Sequence, residues 1–165
     1  MNPRTGGRTA SKIPGLDIAE QRSWQNYLTA TLRLGSTLNR RLVDAHRLPI
    51  ADLRLLQTLS AAAGEGSRMG DLADELHELP CRLTRQTRRL EEQGLVQRCV
   101  SVRDRRGVVV TITAEGRLLA DQATTTYVQS VRAIFLDCLS RAQISAMKER
   151  CSRIALSFNR SQSPQ

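Results

Sequence analysis

The sequence predicts a mainly α-helical fold that carries one small β-hairpin. Three observations predict it. Apolar residues recur at helical offsets in successive stretches from residue 17 to residue 158. Only two short runs, 95–101 and 108–113, are rich in β-branched residues instead. The joints between these stretches carry glycine, proline or a capping residue, as turns and helix ends require.

Composition narrows the function classes. A chain of 165 residues is one domain by the usual prior and long enough to bury a core. Its apolar share of 40% is ordinary for a globular protein. No stretch approaches the roughly 20 apolar residues that a membrane span needs, and the N-terminus has no apolar signal core. The expectation is a cytoplasmic protein without a membrane partner. The formal net charge is +9. Lys12 and Lys148 are the only lysines, so nearly all of the positive charge is arginine, which forks onto phosphates and guanine edges. A biased genome could produce such a balance, but not its distribution. Between Pro80 and Gly107 eight arginines face three carboxylates, a local +5.

Taken in order, residues 1–16 read as a disordered basic arm without periodicity. Residues 17–46 read as a long helix with Trp24, Leu28, Thr31, Leu34, Leu38 and Leu42 at helical spacing; with the corner at 47–48 they form an N-terminal dimerisation segment, 17–48. Gly35 weakens that helix by about 1 kcal/mol relative to Ala. Trp24 and Tyr27 are candidates for a ligand pocket, with core or dimer contact as the commoner fate of such aromatics. A second helix spans 51–63, with Leu53, Leu56 and Leu59 inward and Asp52 in its first turn, where the helix dipole favours an anion. Gly64 to Gly66 breaks it.

The stretch from Arg68 to Thr113 organises the rest. A short helix places Leu72, Ala73 and Leu76 on one face. After a turn, a second helix starts near Pro80, with Leu79, Leu83 and Leu90 inward. Arg82, Arg85 and Arg89 then share the opposite face, with Cys81, Thr84 and Arg88 beside them. Gly94 ends the helix as a left-handed cap residue. The two β-branched runs follow, joined by a charged loop, Val102 to Gly107. Helix, turn, arginine-faced helix and basic-tipped hairpin make a winged helix-turn-helix over residues 49–113. Its second helix is sized for a DNA major groove and its hairpin tip for the adjacent minor groove.

Thr113 caps the next helix, which runs to about Leu139 through Leu119, Ala123, Tyr127, Val131 and Phe135. Ser140 to Gln143 is a capping box for a last helix bearing Ile144, Met147, Cys151, Ile154 and Phe158. So narrow a terminal apolar seam needs a partner, and packing the first and last helices of two chains together supplies one. Residues 114–160 are therefore read as C-terminal dimerisation helices, followed by a disordered tail, 161–165. Cys138 and Cys151 are assigned to the core.

The same stretch carries a family resemblance. Asp71-Leu72-Ala73, then Leu83-Thr84-Arg85 with Arg89-Leu90-Glu91, then Gly94-Leu95-Val96, then Asp104-Arg105-Arg106 with Thr113 and Gly116 fall in the order and spacing of the MarR family of bacterial transcription regulators. The likeness extends more weakly over the flanking helices, covering nearly all of residues 18–158. Leu79-Pro80 stands where the family often has a Ser or Asn cap, and Glu78 where an apolar residue is usual. The resemblance implies a homodimer on a pseudo-palindromic operator, acting as a repressor released by a small, often aromatic, effector. It also implies that Arg106 enters the minor groove, oriented by a salt bridge from Asp104; a narrow groove concentrates negative potential for such a guanidinium.

The residues assigned to double-stranded DNA are thus Arg82, Thr84 and Arg85 for base edges, Arg88 and Arg89 for phosphate, and Arg103, Asp104, Arg105 and Arg106 at the wing. Arg88 is alternatively a partner of Glu92 at helical spacing. Catalysis finds no support: His46 and His77 have no nucleophile or carboxylate at a motif spacing, and no phosphate-binding glycine motif is present. Cys81, Cys99, Cys138 and Cys151 form no C-x-x-C pair, and no metal or cofactor is expected. Two rival readings stay open. Cys81, in the first turn of the arginine-faced helix, is where dipole and cations favour a thiolate, so it is the candidate of a thiol-based redox regulator. The other rival is a non-specific architectural DNA-binding protein without an effector.

Overall fold

A computed structural model describes residues 13–62, 66–100 and 107–161. The chain divides into two compact units, residues 1–36 and 37–165. The first helix, α1 (Ile18–His46), begins in one and ends in the other.

In the first unit Asp17 starts α1. Its Oδ1 accepts from the N–H groups of Ala19 (2.7 Å) and Glu20 (2.8 Å), and Glu20 Oε2 accepts from the Asp17 N–H (2.9 Å). This reciprocal box satisfies orphan donors of the first turn. Its Asp-x-x-Glu signature is legible in the sequence, although the periodicity alone had set the boundary. Trp24 and Tyr27 lie one turn apart with ring centroids 6.0 Å apart, both half exposed.

In the second unit the order is α2 (Ile50–Ala61), β1 (Ser67–Arg68), α3 (Met69–Leu76), α4 (Pro80–Glu92), β2 (Val96–Val100), β3 (Val108–Ile112), α5 (Ala114–Ile134), a 3-10 turn (Leu136–Cys138) and α6 (Arg141–Ser161). The fold is mostly helical with a small antiparallel sheet, as expected. The sheet has three strands in the order β1-β3-β2, with Val96 opposite Ile112 and Val100 opposite Val108. Two-residue β1, Ser67 against Val110, escaped the sequence because so short a run has no period.

One leucine-rich core joins α2, α3, α4, the sheet and α5. Leu53, Leu56 and Leu59 of α2 meet Leu72 and Leu76 of α3, Leu83 and Leu90 of α4, and Val110 of β3. Full burial of each such side chain contributes about 1.5–3 kcal/mol. Leu55, not among the three leucines expected inward, is also fully buried, because α2 is covered on more than one side. Three other expectations need correcting. Leu79 is 68% exposed, because it is the N-cap of α4 rather than part of its inner face; fully buried Thr87 completes that face with Leu83 and Leu90. The helix expected to reach Leu139 ends at Ile134, where Phe135 leaves helical geometry (φ −131°, ψ −60°). Cys138 and Cys151 are exposed, not core, because the 3-10 turn and α6 lie outside the leucine cluster.

The predicted caps form. Thr113 Oγ1 accepts from the Gly116 N–H (3.0 Å). Ser140 Oγ accepts from the Gln143 N–H (3.3 Å), and Gln143 Oε1 accepts from the Ser140 N–H (2.8 Å). Gly94 adopts φ +74°, with Gly94 N–H bonded to Glu91 O and Leu95 N–H to Leu90 O, the paired bonds of a Schellman motif. The turn between α3 and α4 closes in the same way, Glu78 N–H to Ala73 O and His77 N–H to Asp74 O, with His77 left-handed at φ +54°.

Candidate nucleic-acid interface

The site is one face of α4. Pro80 sits at its first position, where the missing N–H would have no partner and the fixed φ suits the helix. That explains how Leu79 serves as N-cap without a side-chain bond. Burial of Leu83, Thr87 and Leu90 then fixes which way the helix faces. The 3.6-residue period turns Arg82, Arg85, Arg88 and Arg89 away from the core, and all four are exposed.

Their surroundings differ. Arg89 reaches back to Asp52 on α2: its Nη2 donates to Oδ2 at 2.5 Å and Oδ1 at 2.6 Å. Gln86 Nε2 donates to the same Oδ1 at 2.9 Å. Arg82 pairs with Glu78 one turn back at 3.5 Å. Among the described residues, neither Arg85 nor Arg88 enters an ion pair, and the pairing of Arg88 with Glu92 does not form. Thr84 is half-buried and donates its hydroxyl proton to Pro80 O (2.8 Å).

At the far end of α4, Glu91 fastens the hairpin. Its Oε1 accepts from the Arg98 N–H (3.0 Å), and its Oε2 lies 3.6 Å from the Arg98 guanidinium. Arg98 Nε is buried with no hydrogen-bond partner among the described residues. Gly116 packs so closely on the base of the hairpin that a Cβ there would lie 2.1 Å from Leu95 O. A groove of about 470 Å³ runs between the start of α2 and α4, with Pro49, Asp52, Glu78, Arg82, Arg85 and Arg89 in its walls.

The α4 candidates are therefore brought together. The wing candidates Arg103, Asp104, Arg105 and Arg106 lie outside the described residues. Cys81 is an exposed free thiol in the first turn of α4. Trp24 and Tyr27 belong to the first unit. Sequence reasoning missed Asp52 and Gln86 as a pair with Arg89. No sequence spacing announces a contact across 37 residues; only the helical offset of Gln86 from Arg89 was readable.

Among the described residues no three His, Cys, Asp or Glu side chains are grouped to hold a metal ion, and no helix is long and apolar enough to cross a membrane.

Comparison with known proteins bears on this geometry. The MarR family model matches residues 48–108. No curated protein matched the sequence. Among solved structures, AbsC, a MarR family transcriptional regulator from Streptomyces coelicolor, is 28% identical over 87% of this chain and 97% of its own, with a TM-score of 0.82. Sco3205, a second MarR family regulator from Streptomyces coelicolor, solved in complex with DNA, is 27% identical over 88% of this chain and 91% of its own, again with a TM-score of 0.82. A mutant MarR from E. coli complexed with operator DNA shares the fold at 20% identity, over 84% of this chain and 99% of its own, with a TM-score of 0.72. The matched segment runs from the corner before α2 through the basic helix to the hairpin, so residues 48–108 carry a MarR family domain, and the chain as a whole shares the fold of MarR family transcription regulators.

Proposed function

We propose that the chain is a homodimeric, sequence-specific repressor that holds a pseudo-palindromic operator and releases it when a small aromatic ligand binds. One observation carries the DNA reading: α4 presents a row of arginines outward while Leu83, Thr87 and Leu90 anchor it from behind. Among the described residues Arg85 and Arg88 face outward without carboxylate partners, as a surface built to meet phosphates and guanine edges requires. Arg85 and Arg82 read bases and Arg88 touches phosphate. Thr84, between Arg82 and Arg85 in the first turns of α4, contacts a base edge as well. At the wing Arg106 enters the minor groove, Asp104 orients it, and Arg103 and Arg105 lie along the backbone.

Dimerisation is supported by α6, in which every described side chain from Arg141 to Phe158 is exposed. Ile144, Met147, Ile154 and Phe158, from 36% to 61% exposed, form an apolar face that the described residues leave largely uncovered. Trp24 and Tyr27 are assigned to the effector pocket or to that dimer contact. The protein works in the cytoplasm, where its DNA is, needs no cofactor and catalyses nothing. A second reading is favoured by the exposure of Cys81: oxidation in the first turn of α4 would place a bulky or anionic group at the DNA face.

Selection of duplexes from a randomised pool by the full-length dimer tests the reading. The expected result is one recurrent motif with two-fold symmetry. Uniform recovery without a motif would assign the protein to non-specific DNA packaging instead.

A further inference from the structure

We propose that Asp52 is a specificity-determining residue that never touches DNA: by holding Arg89 and Gln86 it seats α4 and withdraws one cation from phosphate binding. The proposal rests on the DNA reading above.

Asp52 sits in the first turn of α2 with its side chain only 3% exposed. Left without a counter-charge, a carboxylate there would be expensive; the Arg89 guanidinium supplies that charge. Gln86 and Arg89 are three apart, hence on the same face of α4. Two donors from adjacent positions on one helix, converging on one acceptor from another, restrict both rotation of α4 about its axis and sliding along α2. Each residue is 100° of helix rotation, so a small slip would turn Arg85 away from any base edge it reads.

The pair also changes what α4 can bind without reading. Arg89 remains 51% exposed, in the same groove wall as Arg82 and Arg85. A bare guanidinium there would bind the phosphates of any duplex, which carry no sequence information. With Asp52 beside it, that charge is matched inside the protein. Asp52 thus lowers affinity for arbitrary DNA while holding the reading residues in register. Arg89 becomes a positioning residue rather than a phosphate contact.

The test uses the full-length protein, a fluorescent duplex that the wild type has selected from a randomised pool, and a scrambled duplex of equal length. Anisotropy titrations over a salt series give affinity and the slope of log K against log salt. Arg89→Ala is expected to leave the slope as in the wild type. Asp52→Asn is expected to steepen it on scrambled DNA by about 0.9 per protomer, one more phosphate neutralised, and to narrow the ratio of selected to scrambled affinity. In Asp52→Asn with Arg89→Gln the two amides can pair without charge, and the slope is expected to return to the wild-type value. Loss of folding alone lowers affinity for both duplexes and steepens neither slope; circular dichroism identifies it, and the Arg89→Ala slope still decides the question. A slope lowered by about one in Arg89→Ala would overturn the proposal, because Arg89 would then be a phosphate contact. So would a folded Asp52→Asn with wild-type slope and ratio. A wild type that selects no sequence would instead overturn the DNA reading, and this proposal with it.

Discussion

At the scale of single residues, the arginines of α4 look alike in sequence and are unlike in structure. Among the described residues, Arg85 and Arg88 face outward without a carboxylate, Arg82 leans on Glu78, and Arg89 is joined to Asp52. Their helical period was legible, since it depends only on neighbours along the chain. Their partners were not, because the Asp52 contact forms only once α2 and α4 pack on the leucine core. At the wing the expectation has a definite sign. Simple electrostatics has Asp104→Ala binding DNA more tightly, since a negative charge facing phosphates is lost. The orienting role has it binding more weakly, like Arg106→Ala but to a smaller degree, with Arg106→Ala also reducing the salt slope by about 0.9 per protomer. Anisotropy at two salt concentrations checks both; tighter binding by Asp104→Ala would sink that wing mechanism. For Cys81, the thiol reading expects peroxide to release DNA from the wild type but not from Cys81→Ser. Identical peroxide responses would remove Cys81 as a sensor.

At the scale of elements, boundaries follow from caps more than from propensity. Thr113, Ser140 with Gln143, and Gly94 were legible because their chemistry is local. The turn between α3 and α4 was less so: His77 takes the left-handed position that glycine usually fills. Relief of that backbone strain is expected to make His77→Gly more stable by up to about 1 kcal/mol, read as a raised thermal midpoint; a lowered midpoint would mean that the His77 side chain contributes a contact worth more than the strain. Gly116 lies at the opposite extreme. A Cβ 2.1 Å from Leu95 O forces α5 and the hairpin base apart. Gly116→Ala is expected to lower stability by about 1–3 kcal/mol, as over-packing does, and chemical denaturation checks it. Phe135 is the element-scale miss: apolar spacing continues through it while the backbone does not, since side-chain period does not report φ and ψ.

At the scale of the whole molecule, the apolar seam of α6 was legible as a pattern, and the structure leaves its residues exposed. The assignment of Cys138 and Cys151 to a core failed because apolar spacing along a helix does not say which elements share the core, and the 3-10 turn and α6 lie outside the leucine cluster. Deleting residues 140–165 is expected to give a monomer that no longer binds the selected duplex, because two half-sites then lack a common scaffold. Sedimentation of the intact chain as a monomer at micromolar concentration would contradict the dimer. The central claim is that the outward face of α4 reads sequence, and Arg85 tests it most directly. Binding free energies of wild type and Arg85→Ala are measured against the selected duplex and against the same duplex with one half-site altered. The account predicts that Arg85→Ala narrows the gap between the two duplexes by about 1–3 kcal/mol while its thermal midpoint stays that of the wild type. An unchanged gap in a folded Arg85→Ala protein would contradict it.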